Sequence, residues 1–179
     1  CIRDRVVGAV RLSRAVSGLK DSKLLTSTQR ETLNQLIMDS ADFVGLGWVS
    51  PGEIDDLGLT KATAVACERA LAGLENHQQK IIIDGKINYL LDTTYSNVEC
   101  IVRADSLVPA VSAASIVAKV ARDTYMQEIS RDYPGYGFDA HVGYGTATHQ
   151  KAIEKNGLTP IHRWTYKNFR NRFFTEYET

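Results

Sequence analysis

A β-branched run ends in an aspartate and a glycine at Ile81-Ile82-Ile83-Asp84-Gly85, and twenty-one residues after Asp84 a second such run leads into Arg103-Ala104-Asp105-Ser106. A chain patterned this way is expected to place both carboxylates at strand ends, where α/β proteins gather metal ligands and catalytic acids. Val108 to Lys119 follows at once, opened by Pro109 and rich in Ala, Ser and Val. It reads as a helix slim enough to pack close against a sheet. Two buried carboxylates facing one site do not both stay ionised without a cation. The cation that suits such oxygens is a hard divalent metal. Either aspartate alone reads equally as part of a common turn; the two together, with the small-residue helix, carry the metal reading.

The chain has 179 residues, enough for one domain with a substantial core. Its formal net charge of +0 gives no global pull toward a polyanion, which argues against a pure nucleic-acid-binding module. No apolar run approaches the roughly 18–20 residues of a membrane span, and the first residues given do not read as a charged-then-apolar signal peptide. Cys1, Cys67 and Cys100 are odd in number and widely spaced, so they read as thiols of a reducing cytoplasm rather than a disulfide framework or a structural zinc site. The first residue is Cys and not Met, from which further sequence upstream is expected.

Strands and helices alternate along the chain, which makes the class α/β with a mixed sheet. Arg5 to Leu12 reads as a buried strand, and Gly18 to Lys23 as a polar loop. A helix opens at Thr26-Ser27-Thr28, with Thr28 and Glu31 spaced as a capping box and Leu33, Leu36, Ile37 and Ala41 as its apolar stripe. Asp42 to Val49 is a strand ended by Ser50-Pro51-Gly52. Glu53-Ile54-Asp55 makes a single turn, and Thr60 caps a helix to about Leu74. Lys80–Ile83 and Val98–Val102 are strands, and a helix runs from Pro109 to about Ser130. Tyr133 to Phe138 is an aromatic loop, and Thr146 or Thr148 starts a short helix ended by Asn156-Gly157.

Other segments bear on chemistry. His141-Val142-Gly143-Tyr144-Gly145-Thr146 flanks a tyrosine with two glycines, which lets backbone approach a ligand closely and the ring stack on a sugar or base. A tight turn with a packing aromatic is the plainer alternative. His141 and His149 match no zinc-ligand spacing. Lys20-Asp21-Ser22-Lys23 offers amides and an ammonium to a phosphate, or is a solvated loop. Lys151, Lys155, Arg163, Lys167, Arg170 and Arg172 stand against Glu154, interleaved with Trp164, Tyr166 and Phe169. That patch suits a polyanion as well as it suits a wet face of a terminal segment.

Taken together these blocks resemble the ribonuclease HII family. The resemblance rests on Gly18 to Leu25, Glu53-Ile54-Asp55, Ala62-Thr63 through Leu74, Ile83-Asp84-Gly85, Asp105 through Lys119, Arg122-Asp123, Tyr133 through Phe138, His141 through Thr146 and His162-Arg163. They stand in the family's order and span nearly the whole chain. The resemblance implies one ribonuclease H-like domain over residues 1–179, a mixed β-sheet flanked by helices, with a C-terminal helical extension from about residue 146. It implies endonucleolytic hydrolysis of the RNA strand of RNA–DNA hybrids, including at single ribonucleotides in duplex DNA, by two Mn²⁺ or Mg²⁺ ions on four carboxylates. Asp84 and Asp105 match two of the four, as catalytic and metal-binding residues. Tyr144 matches the tyrosine at the ribose–deoxyribose junction, and Lys23, Ser22 and Arg163 match substrate-binding positions. The implied partners are an RNA–DNA hybrid or ribonucleotide-containing duplex DNA, met by a cytoplasmic monomer with no membrane involved.

The family's other two carboxylates lie in an Asp-Glu-x-Gly-Arg-Gly segment on a first strand expected just before Cys1. Asp4 is no substitute for them. The residues from Cys1 onward are therefore expected to be inactive and poorly soluble by themselves, or to represent a hybrid-binding relative without catalysis. Leu24, Leu107 and Val142 replace residues that are usually basic in the family, which predicts weaker phosphate contact.

Overall fold

The structure is a computed structural model and describes residues 4–163. The chain divides into two compact units. One is formed by Val6–Trp48 and Thr63–Arg122; the other takes its described residues from 4–5, 49–62 and 123–163.

The first unit is built on β1 (Arg5–Leu12), β2 (Ala41–Val49), β3 (Ile81–Asp84) and β4 (Val98–Ile101). β1 pairs with β2. The Ser13 N–H just past β1 donates to the Ser40 carbonyl just before β2 at 3.0 Å, so the pair runs antiparallel. β3 and β4 pair in parallel, Ile81 beside Val98 through to Asp84 beside Ile101. Both strand directions of a mixed α/β fold are thus present, as one pair each among the described residues.

With its period of two, β1 is half-buried along its whole length and packs on both faces. Val10 and Leu12 pack with Leu33 and Ile37 of α1 (Ser27–Ser40) and with Ala113, Ile116 and Val117 of α4 (Pro109–Ile129). Val7 and Ala9 point the other way, into a core of Cys67 and Leu71 from α2 (Pro51–Leu71), with Leu74, Leu90, Tyr95 and the β3 residues Ile81 and Ile83. Small residues set how close the helices come. A Cβ on Gly8 would overlap the Ala114 carbonyl of α4, and one on Gly47 the Ala66 carbonyl of α2. The small-residue helix expected from sequence does lie close against a strand.

Several local readings are corrected. The capping box of α1 is formed by Thr26 and Gln29, not by Thr28 and Glu31: the Thr26 hydroxyl accepts from the Gln29 N–H and the Gln29 side chain accepts from the Thr26 N–H. Two residues earlier, a threonine and a glutamine at the same spacing satisfy the first free amides of the helix. Leu36 is 47% exposed and leaves the apolar stripe, while Ala41 begins β2. α2 starts at Pro51 and breaks at Gly58, whose φ of +75° is non-helical, so the expected turn and the expected helix join in one kinked element.

The second unit packs Met126 and Ile129 of α4 with Tyr136, Phe138 of α5 (Phe138–His141) and Ile153 of α6 (Ala147–Asn156). Thr146 caps α6 by accepting from the His149 N–H, and Gly157 ends it at φ +81°. Trp164, Tyr166, Lys167, Phe169, Arg170 and Arg172 lie outside the described residues.

Candidate active site

Asp84 is the last residue of β3 and is exposed. Gly85 turns the chain away at φ +119°, its N–H bonded to the Ile101 carbonyl at 2.9 Å. The Asp84 Oδ1 accepts the Ala104 N–H at 2.9 Å. Ala104 opens the short helix α3 (Ala104–Leu107), entered through Arg103 in the left-handed region, and Asp105 sits in its first turn at 7% exposure. The second carboxylate is therefore not at a strand end as expected. β4 stops at Ile101, and the left-handed turn at Arg103 swings Asp105 into the fold. Nor are both acids buried: Asp105 is buried and Asp84 is at the surface.

A cation stands beside the buried acid. The Lys23 Nζ lies 3.8 Å from Asp105 Oδ2 and 3.8 Å from Asp21 Oδ1, with its side chain 80% exposed. The loop that carries it is docked by polar contacts. Ser22 is buried with its hydroxyl 2.8 Å from that of Ser115, and the Ser112 hydroxyl donates to the Lys20 carbonyl at 2.8 Å. Asp21 caps the turn at Ser22–Leu24 by accepting the Lys23 N–H. Three residues apart on α4, Ser112 and Ser115 share a helix face.

The tyrosine loop belongs to the second unit. Val142 and Gly143 are both left-handed, at φ +41° and +75°. A β-branched residue there costs about 1–3 kcal/mol, held in place by what surrounds it. Tyr144 is 43% exposed. Its N–H donates to the His141 carbonyl at 2.9 Å; its carbonyl accepts from the Thr146 N–H at 2.8 Å and from His149 Nδ1 at 2.9 Å. His149 Nε2 is 3.2 Å from His162 Nε2, and His162 Nδ1 is bonded to the Thr159 N–H and hydroxyl. His149 and His162 are fully buried. Burial pushes both imidazoles from the usual 6.5 down to about 4.

The sequence model of the family described as Ribonuclease HII matches residues 10–171. The chain belongs to the ribonuclease HII family. The ribonuclease HII of Shewanella loihica is 40% identical over 175 residues, 96% of this chain and 83% of that protein. That of Hydrogenovibrio crunogenus is 41% identical over 172 residues, 95% of this chain and 81% of that one. The solved ribonuclease H2 from Pyrococcus horikoshii OT3 superposes with a TM-score of 0.78 at 29% identity, covering 95% of this chain and 90% of that one. Bst-RNase HIII in complex with Mn²⁺ shares the fold, with a TM-score of 0.63 at 21% identity over 86% of this chain and 56% of that one.

Ribonuclease HII enzymes hydrolyse the RNA strand of RNA–DNA hybrids, and this chain is an endoribonuclease of that ribonuclease H type. Among the described residues no helix is long and apolar enough to cross a membrane. Within the ribonuclease HII fold, Asp84, Asp105, Lys23 and Ser22 come together in one unit. Tyr144 and Arg163 belong to the other, where Arg163 is buried at 5% exposure. The serines of α4 and the His149–His162 contact were not read from sequence. The serines looked like small packing residues, although their spacing was a usable signal. In sequence His149 stands out only beside His141, at a spacing that fits no zinc site, and His162 only within the His162-Arg163 block; the structure gives both nitrogens of the His149 and His162 rings to protein partners.

Proposed function

We propose that this ribonuclease HII uses Asp84 and Asp105 as metal-binding carboxylates and cleaves hybrids as well as duplex DNA carrying a single ribonucleotide. The carrying observation is the bond from Ala104 N–H to Asp84 Oδ1, which ties the exposed acid to the helix that holds the buried one. Both donors are hard oxygens of the kind Mg²⁺ and Mn²⁺ take, and Mn²⁺ is the ion bound in the Bst-RNase HIII named above. Among the described residues no group of three or more His, Cys, Asp or Glu side chains gathers around one point, so they supply part of a ligand set. Bound there, divalent ions would provide an activated water and neutralise charge at the scissile phosphate.

The chain's own residues do the rest. The short helix fixes Asp105 in a single place, and burial keeps bulk water from it. Lys23, on a loop pinned through Ser22 and Ser112, presents an ammonium that can exchange its contact with Asp105 for a backbone phosphate. Tyr144 offers a half-exposed ring to the sugar at the RNA–DNA junction, where a 2′-hydroxyl separates ribose from deoxyribose. Arg163 is buried in the unit that carries Tyr144, so its part is to hold that unit's structure and not to touch substrate directly. The free thiols Cys67 and Cys100 are in keeping with a reducing cytoplasm.

A panel of substrates tests this reading. With Mg²⁺ or Mn²⁺ the protein is expected to cut a hybrid and a duplex DNA with one ribonucleotide, to leave all-DNA duplex intact, and to lose cutting on chelation. Equal cutting of the all-DNA duplex, or cutting that survives chelation, would overturn it.

A further inference from the structure

Left-handed backbone at two successive residues, one of them Val142, is not a conformation the tyrosine loop would choose by itself. Something must impose it, and the ring system beneath the loop is placed to do so. The Tyr144 carbonyl can only accept, so His149 Nδ1 carries the proton that bonds it. His149 Nε2 is then a bare acceptor and takes the Nε2–H of His162. His162 Nδ1 is in turn left as an acceptor for Thr159, which donates through its N–H and hydroxyl. One tautomer of each ring satisfies every bond, and the order of the chain is set by its carbonyl end. His141 stacks on His149 with centroids 4.5 Å apart, its Nδ1 accepting the Gly143 N–H and its Nε2 donating to the Tyr136 carbonyl. The loop is thereby bonded from two rings at neighbouring residues, 143 and 144.

We propose that His149 and His162 are positioning residues for substrate recognition: the directed chain Thr159–His162–His149 holds the Tyr144 carbonyl and so sets the angle at which the Tyr144 ring is presented. The proposal rests on the reading of Tyr144 as a substrate contact. Two apolar side chains would fill the same space, but they would leave the carbonyl without its inner donor and the loop free to relax toward ordinary backbone. Fully satisfied buried polar networks select one conformation in this way. Every bond of this chain of rings goes to protein groups, so its removal is expected to act on binding and orientation, not on the chemical step itself.

The test compares Tyr144→Ala, His149→Leu, His149→Asn and the double variant Tyr144→Ala/His149→Leu in the full chain. The readout is the dissociation constant for duplex DNA carrying one ribonucleotide, measured with chelator present, alongside thermal midpoints. Tyr144→Ala is expected to weaken binding about tenfold. His149→Leu loses the donor and is expected to weaken it about fivefold. His149→Asn keeps an N–H near the Nδ1 position and is expected to stay within about twofold of wild type. The double variant is expected to bind no worse than Tyr144→Ala. Unchanged binding in Tyr144→Ala would overturn the assignment of Tyr144 itself. A tenfold loss there, with wild-type binding in His149→Leu or with losses that multiply in the double variant, would overturn the positioning role alone. Should His149→Leu fail to fold, long-range ¹H–¹⁵N spectra of the wild type decide: Nδ1–H on His149 and Nε2–H on His162 uphold the chain, and any other tautomer pair overturns it.

Discussion

At the scale of single residues, Lys23 shows how a site can hold a cation and still release it. Its ammonium is shared between Asp21 and Asp105 at equal distance, and its side chain is mostly in water. Ion pairs so exposed contribute little to stability, so the lysine is free to serve a phosphate instead. Lys23→Gln is expected to weaken hybrid binding and to flatten the dependence of log affinity on log salt by about one unit, with the thermal midpoint unchanged. Anisotropy titrations across a salt series check this; an unaltered slope would place Lys23 outside the phosphate track. Asp105 behaves differently because it is buried, and its position depends on the left-handed turn at Arg103.

At the scale of elements, close approach of helix and strand is what the glycines provide. Gly45 and Gly47 alternate along β2 on the face that meets α2, and an added methyl on Gly47 would run into backbone at Ala66 and Ala70. Gly47→Ala is therefore expected to cost about 3 kcal/mol and to lower the thermal midpoint by about 10 °C; a melt unchanged within about 2 °C would contradict this packing. Much of this level was legible beforehand. Alternating β-branched runs gave β1, β3 and β4 to within a residue or two, and Pro109 and Thr146 marked the starts of α4 and α6, because those signals are local. Readings that depend on distant partners went astray. The exposure of Leu36 is settled by what packs on α1, and the burial of Asp105 by a turn that no strand pattern announces. Thr26 wins the capping box over Thr28 because both it and Gln29 reach each other's amides. The site followed the same division: Asp84, Lys23 and Tyr144 stood out as residues, whereas the Ser22–Ser115 contact joins positions 93 apart and has no signature in either segment.

At the scale of the whole molecule, two separately cored units share one chain, and the buried His149–His162 pair ties the stability of one of them to pH. In the folded protein both imidazoles stay neutral down to about pH 4, whereas the unfolded chain takes up protons near 6.5. Between those values the unfolded state holds more protons, so stability falls as pH drops from about 6.5 toward about 4 and this contribution levels off below. Each proton taken up in that window adds about 1.4 kcal/mol per pH unit. Urea midpoints for wild type and His149→Asn, measured from neutral to acid pH, are expected to show the steeper decline in wild type; parallel curves would contradict it. Both histidines are remote in sequence from the Asp84–Asp105 pair, so acid sensitivity of folding and loss of hydrolysis are separable. Whether that pair drives hydrolysis is decided by one measurement, the single-turnover rate of RNA-strand cleavage by Asp105→Asn on a hybrid, taken beside its affinity for the same hybrid. Near-isosteric replacement removes the charge while keeping the shape. Cleavage is expected to fall at least about a hundredfold with affinity held within a few-fold. Cleavage at the wild-type rate would contradict the assignment of Asp105 and with it the metal-binding pair.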